Sequence, residues 1–284
     1  MTDQDNKLLR LLPKVLRARE YNLYTEDGKK LKDLWLDGGK AILGHKPPRV
    51  LGELKNAAER GLFSPLPHPM ERRFLKALGE LFPGRGFRLY RDSLSMSRAL
   101  EEAGYSVRPM SGPAFLGNEQ QQREENKVYF WRPFTEQPGS PSEASSGAFS
   151  ASVFIPILPL PLGPDILVLH KDAEAYFPPG DLIPPVILAP AGRALYDLIK
   201  VLGKPLPKYP RLEKALRKSI WQRQGIYLNT EPGTGKEKYA EIFRFFLEGG
   251  FLIPPFMHEP AILPPSLTQG EEAKLSELLK RTGF

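Results

Sequence analysis

Apolar residues return every three or four positions in several stretches of this chain, and each such stretch predicts an amphipathic helix. Within 7–19, Leu8, Leu12, Val15 and Leu16 share one helical face, with Asp5 or Asn6 as the cap and Pro13 as an interruption. Helices follow at 50–60 and 70–81, on either side of the proline-rich S-P-L-P-H-P, and at 92–104, whose first turns carry Ser93, Ser95 and Ser97. Four more are expected at 192–202, 212–222, 237–249 and 271–281, with Gly249 and Gly250 stopping the third of them. Elsewhere the pattern changes. Between 21 and 42, T-E-D-G-K-K reads as a turn, and the L-x-x-L-W-L after it suits two short strands in this stretch. A-S-V-F-I-P-I-L-P-L and D-I-L-V-L-H are apolar runs without polar alternation, as expected of strands buried on both faces. G-S-P-S-E-A-S-S-G at 139–147 predicts a flexible loop. Interleaved helices and strands place the chain in the α/β or α+β class, with few strands and no internal repeat.

Composition narrows the class. With 284 residues, 41% hydrophobic and 26% charged, the chain is a globular protein of one large domain or two small ones. Its 30 prolines are roughly twice the usual share of about 5%, so the backbone turns often. The absence of cysteine removes disulfides, thiolate metal sites and thiol nucleophiles, and fits a cytoplasmic location. The first twenty residues alternate charges with leucines, unlike a signal peptide. The longest uncharged stretch, 144–164, contains Pro156, Pro159, Pro161 and Pro164, which would strip donors from a bilayer-spanning helix, so no membrane partner is expected. Forty Lys and Arg against 33 Asp and Glu give a net charge of +7, with the cations dispersed among acids; nucleic acid is not an expected partner.

Candidate chemistry is sparse at the level of spacing. T-E-P-G-T-G-K-E at 230–237 imitates a phosphate loop, but Thr230 stands in place of the first glycine and Glu237 in place of the hydroxyl, so it reads as a surface turn. His45, His68, His170 and His258 show no metal-ligand spacing, and no metal site is expected. No G-x-S-x-G elbow anchors a Ser-His-Asp hydrolase.

Two terminal motifs go further. E-D-G-K-K-L-K-D, followed by W-L-D-G-G-K-A-I-L-G-H-K-P-P-R-V, resembles the N-terminal segment of class III aminotransferases, the pyridoxal-phosphate (PLP) enzymes of fold type I. That family reads D-G-x-x-Y-[ILV]-D and then L-G-H-x-x-P-x-V; Asp27, Gly28 and Asp33 fit the first pattern, and Leu43, Gly44, His45, Pro48 and Val50 the second. Near the other end, F-L-E-G-G-F-L-I-P-P-F-M-H-E-P-A-I-L-P-P-S-L-T is similar to the L-L-x-x-G-V-x-L-P-P-S-x-F-E-x-x-F segment of glutamate-1-semialdehyde aminotransferases, through Leu247, Gly250, Leu252, Pro254, Pro255, Glu259 and Thr268. The resemblance implies an α/β fold like that of the fold type I PLP transferases. A small α/β domain would be built from 1–80 with 205–284, around a reduced cofactor-type domain at 81–204. It also implies a homodimer.

The catalytic middle departs from the family. Fold type I chemistry requires a lysine for the Schiff base, a carboxylate beside the pyridine nitrogen and a phosphate cup at a helix N-terminus. R-D-S-L-S-M-S-R-A-L sits where the family shows N-S-G-T-E-A, which makes Ser93 and Ser95 the cup residues but without the glycine and the Thr-Glu pair. A-F-L-G at 114–117 resembles the family's Y-H-G, so Phe115 is either the ring-stacking residue or a core phenylalanine. A-S-V-F-I-P-I-L-P resembles the family strand A-A-V-I-V-E-P-V, with Pro156 in place of the glutamate, and the D-E element that supplies the pyridine carboxylate is missing. Two alignments compete for the lysine. P-D-I-L-V-L-H-K against P-D-[LI]-x-x-L-G-K nominates Lys171, which otherwise reads as a solvated strand-end lysine. P-P-V-I-L-A-P-A-G-R against P-V-G-A-F-G-G-R puts the position near Pro178 and leaves no Schiff-base residue. The resemblance therefore implies a catalytically degenerate relative without cofactor, binding a protein partner or a small anionic ligand. The alternative is an active PLP-dependent aminotransferase or aminomutase working on an amino or keto acid through Lys171.

Overall fold

The structure is a computed structural model that describes residues 7–107, 127–135 and 152–282. Its first departure from expectation comes at once. Residues 7–19 are helical only over the first three positions, after which the chain extends as β1 (Val15–Arg19). Pro13, with no N–H to donate and a ring that crowds the preceding turn, ends the helix before it can propagate. A two-residue turn at Glu20 and Tyr21 leads into β2 (Asn22–Thr25), and T-E-D-G-K-K turns the chain into β3 (Lys30–Asp33). The apolar L-W-L beyond is not strand: it enters a short 3₁₀ turn at Asp37–Gly39.

The helices at α1 (Pro48–Glu59) and α2 (Pro69–Leu81) begin with proline in the first turn, where a missing N–H costs nothing. Then come β4 (Gly86–Tyr90), α3 (Ser93–Glu102), β5 (Ser106–Val107), β6 (Lys127–Trp131), β7 (Val153–Pro156) and β8 (Asp165–Leu169). After a 3₁₀ turn at Lys171–Tyr176, α4 (Pro185–Leu202) starts earlier than the expected 192. Pro184 and Pro185 occupy its cap and first turn, and Pro190 is buried inside it among Leu188, Ala191 and Leu195. Burial on this scale outweighs a helix-interior proline. The helix expected at 212–222 splits into α5 (Pro210–Leu216) and β9 (Trp221–Gln224), which pairs with β10 (Tyr227–Thr230). The chain closes through α6 (Lys236–Glu248), β11 (Phe251–Leu252), β12 (Ala261–Ile262) and α7 (Gln269–Arg281). Thr268 and Glu271 start α7 with a reciprocal capping box. The phosphate-loop imitation at 230–237 is the turn between β10 and α6.

The described residues form three sheets, ordered β1-β2-β3-β11, β12-β10-β9 and β4-β8-β7-β6-β5. Both terminal regions share one core, in which Leu8, Leu31, Leu34 and Leu36 pack with Tyr227, Phe243, Phe246 and Leu279. The five-stranded sheet is covered on both faces, and its alternation is clean: Phe154, Ile166 and Val168 face α2 and α4, whereas Val153, Ile155, Leu167 and Leu169 face α3. Residues 48–81, grouped by motif with the termini, pack on α4 and so with this sheet. The loop expected at 139–147 lies outside the described residues. No helix among the described residues is long and apolar enough to cross a membrane.

Candidate functional site

Strand direction decides which residues meet. β8 runs antiparallel to β4 and to β7, so β4 and β7 are parallel, and β6 is parallel to β7. The C-terminal ends of β4, β6 and β7 therefore open on one edge of the sheet, the edge where parallel sheets present ligand sites. On it stand the start of α3, the segment Arg132–Thr135 after β6, Ile157 after β7, and Asp165 at the beginning of β8.

Facing that edge is the W-L-D-G-G-K turn of the terminal unit. Four consecutive residues have positive φ: Leu36 at 51°, Asp37 at 50°, Gly38 at 65° and Gly39 at 111°. For Leu36 and Asp37 this conformation is strained, and it persists only because neighbours enforce it. Asp33 Oδ1 accepts the backbone N–H of Trp35 (2.8 Å) and of Leu36 (2.9 Å), while its Oδ2 lies 2.7 Å from His45 Nε2. Asp33 and His45 come from the two separate halves of the N-terminal motif, so the matched residues build this turn. A side chain at Gly39 would place its Cβ 3.0 Å from Ile157 Cγ2 and 3.2 Å from Arg132 Nη1, which is why the turn needs glycine there.

Arg132 is the charge on which the turn rests. It is 4% exposed, donates from Nη1 to Gly38 O (2.5 Å), and holds its guanidinium carbon 5.7 Å from the centre of the Tyr227 ring. Tyr227 in turn donates its hydroxyl to Pro133 O (2.6 Å), tying the end of β6 to the terminal core. Burial pulls the Arg132 guanidinium below its ordinary range, and Tyr227 and Glu259 oppose that. Glu259 accepts Trp35 Nε1–H at 2.8 Å. Burial pushes its carboxyl up, against the Trp35 hydrogen bond, Arg132 and His258, with Asp37 adding to the rise. Trp35, Gly38, Arg132, Tyr227 and Glu259 thus form one polar knot between the two cores.

At the start of α3, Asp92 is the N-cap and its Oδ1 accepts Ser95 N–H at 2.8 Å. Hydrogen bonds from the backbone and side chain of Ser95 hold the Asp92 carboxyl below its ordinary range. Nearby, burial raises Asp165, Lys40 opposes the rise and Asp92 adds to it. Ser93 and Ser95 are therefore where the resemblance puts a phosphate cup, but the donor at Ser95 is already committed to an internal carboxylate. Lys171 lies elsewhere. Gly86 pairs with Leu169 and Tyr90 with Asp165, so Lys171, just beyond Leu169, is at the end of the β4–β8 pair opposite to Ser93. Its side chain is exposed. The turn that carries it is strapped to β4 by Arg88, which donates to Pro178 O (3.0 Å), Glu174 O (3.2 Å) and Phe177 O (3.4 Å). Phe115 lies outside the described residues. Among the described residues no group of three or more His, Asp or Glu could hold a metal ion.

Arg132 and Lys40 escaped motif reading. The adjacent glycines of D-G-G were the available sign of a strained, closely approached turn, and Asp92 before a helix was the available sign of a cap.

With this geometry, the chain has the α/β fold of the PLP-dependent transferases of fold type I. It superimposes on an omega-transaminase from Sphaerobacter thermophilus with a TM-score of 0.68 over 99% of this chain and 96% of that one, at 11% identity. In sequence it is 26% identical to an uncharacterised protein of Treponema pallidum over 91% of each chain. It is 41% identical to the glutamate-1-semialdehyde 2,1-aminomutase of Hyperthermus butylicus over 25% of this chain, a match that spans 17% of that enzyme. No protein-family profile matches the chain. The resemblance to class III aminotransferases thus holds for the fold and for a short stretch of sequence.

Proposed function

We propose that this chain is a class III aminotransferase-like protein that has lost the family's chemistry and acts in the cytoplasm by binding a protein partner or a small anionic ligand, as a homodimer. The observation that carries this reading is the separation of the two groups PLP would need. Four rungs of strand, about 13 Å at 3.3 Å per residue, lie between the Gly86–Leu169 and Tyr90–Asp165 pairs, before the turns that carry Lys171 and Ser93 are added. At the α3 end Asp92 takes the Ser95 N–H, and the charges of Asp92 and of Asp165 nearby oppose a phosphate there. Among the described residues, those that the resemblance nominates, Lys171, Ser93 and Ser95, do not fit the cofactor.

The cytoplasmic assignment is supported by the absence of cysteine. The homodimer is supported by exposed leucines around the same edge: Leu94 in the first turn of α3, Leu162 before β8, and Leu182 beside the Arg91–Asp181 contact. Light scattering should give a particle of twice 32.0 kDa; a 32.0 kDa particle at micromolar concentration would remove the dimer from the proposal. Incubation with PLP, borohydride reduction and peptide mapping tests the chemistry. Scattered labelling of surface lysines is expected. A stoichiometric pyridoxyl adduct at Lys171 would overturn the reading in favour of an active PLP enzyme.

A further inference from the structure

We propose that the outer edge of β1 docks an extended, acidic segment of a protein partner. Among the described residues β1 is the first strand of its sheet and pairs with β2 alone, so there the N–H and C=O groups on its other side are open to a further strand. From 7 to 19 the chain carries five cations, Lys7, Arg10, Lys14, Arg17 and Arg19, and no acid. Among them lie three large apolar side chains left in solvent: Leu11 at 43%, Val15 at 42% and Leu16 at 71% exposure. Apolar exposure rimmed by one sign of charge along an unpaired strand edge is the pattern of strand addition, in which backbone bonds supply affinity and alternate side chains supply selectivity.

The local partners of Lys14, Arg17 and Arg19 do not close the edge. Lys14 lies 3.2 Å from Glu26 with both side chains largely in solvent, Arg19 only reaches 4.0 Å from Glu20, and Arg17 lies over the Tyr24 ring at 4.3 Å. Exposed pairs of this kind are weak and yield to a better-placed carboxylate. A second copy of the chain is a poor occupant, because five cations would face five. The irregular register between Val15 and Arg17 adds a kink that further discourages pairing with an identical edge. What fits is an extended segment whose carboxylates alternate with apolar side chains.

The proposal gives the binding reading above its partner chemistry and rests on it, but its test is separate: a chain that formed the Lys171 adduct and still docked the probe would sink that reading and leave this surface standing. Fluorescence anisotropy with a labelled peptide of alternating glutamate and valine should show saturable binding to the full chain. Binding should weaken about tenfold or more, about 1.4 kcal/mol, in Arg17→Glu/Arg19→Glu, and likewise when alternate peptide nitrogens are methylated. Bound peptide should slow amide exchange within 15–19. Equal binding of the methylated peptide, preference for phosphatidylserine vesicles or for a DNA oligonucleotide, or no saturable binding up to millimolar peptide would each overturn the proposal.

Discussion

The two edges of the five-stranded sheet are built on different physics. At the edge where Lys171 sits, an exposed turn is strapped to β4 by neutral carbonyl contacts to Arg88. At the opposite edge, a guanidinium 4% exposed bonds Gly38 in a turn of four consecutive positive-φ residues and faces the charge of a half-buried carboxylate. The first edge is ordinary loop anchoring. The second concentrates strain and desolvated charge where the two cores meet, which is where folds tolerate them when position matters more than stability. The lysine nominated by motif is thus on the relaxed edge, whereas the constrained edge is built from the terminal motifs' own turn and Glu259, held by Arg132, which no motif named.

The comparison breaks most directly at Arg132. Arg132→Met should cost about 3 kcal/mol or more, because it leaves Gly38 O and Glu259 without their buried cation; denaturant unfolding measures it, and a loss under about 1 kcal/mol would mean the knot does not bind the cores together. Next is Gly39→Ala, expected to destabilise by about 2 kcal/mol through its φ of 111° and the 3.0 Å approach of Ile157. Gly52→Ala, inside α1 with nothing within 4 Å of its added Cβ, should instead stabilise by about 0.5–1 kcal/mol. On the relaxed edge, Arg88→Ala should cost about 1–2 kcal/mol and speed amide exchange only around 171–178, leaving the Arg132 edge protected.

The smallest effect sharpens the electrostatics. Burial raises the Glu259 carboxyl, so in the pH range between its unfolded and folded values the native chain holds a proton that the unfolded chain has released. Stability from this group is therefore full below that range and falls as pH rises through it. Glu259→Gln keeps an oxygen for Trp35 Nε1–H and removes the titration. Its stability at pH 7 should equal or slightly exceed that of the parent, by less than about 1 kcal/mol, with a flatter pH profile. A large loss in this variant at pH 7 would show that the ionised carboxylate is needed beside Arg132.

Much of the local structure was legible in order along the chain. Helices α1, α2, α3 and α7 follow apolar periodicity with caps or prolines at their starts, α6 follows periodicity alone, and β7 and β8 follow uninterrupted apolar runs. The failures share a cause. Leu8, Leu12, Val15 and Leu16 have helical spacing, yet Pro13 and pairing with β2 make 15–19 a strand, and pairing with β10 makes a strand of the tail of the 212–222 helix. Spacing reports which face a segment would bury if left to itself; it carries no information about a strand waiting elsewhere in the chain.

By itself, the sequence determined the local elements that bury one apolar face, the resemblance carried by the terminal motifs, and the absence of thiol chemistry. Those depend on side chains within a few residues of each other, or on residue types alone. Only the tertiary structure decided that Asp33 meets His45, that Arg132 enters a turn 94 residues away, and that Lys171 and Ser93 part to opposite edges. The last follows from the direction of β8, which reverses against both neighbours, and direction is set by backbone pairing that every sequence can offer alike.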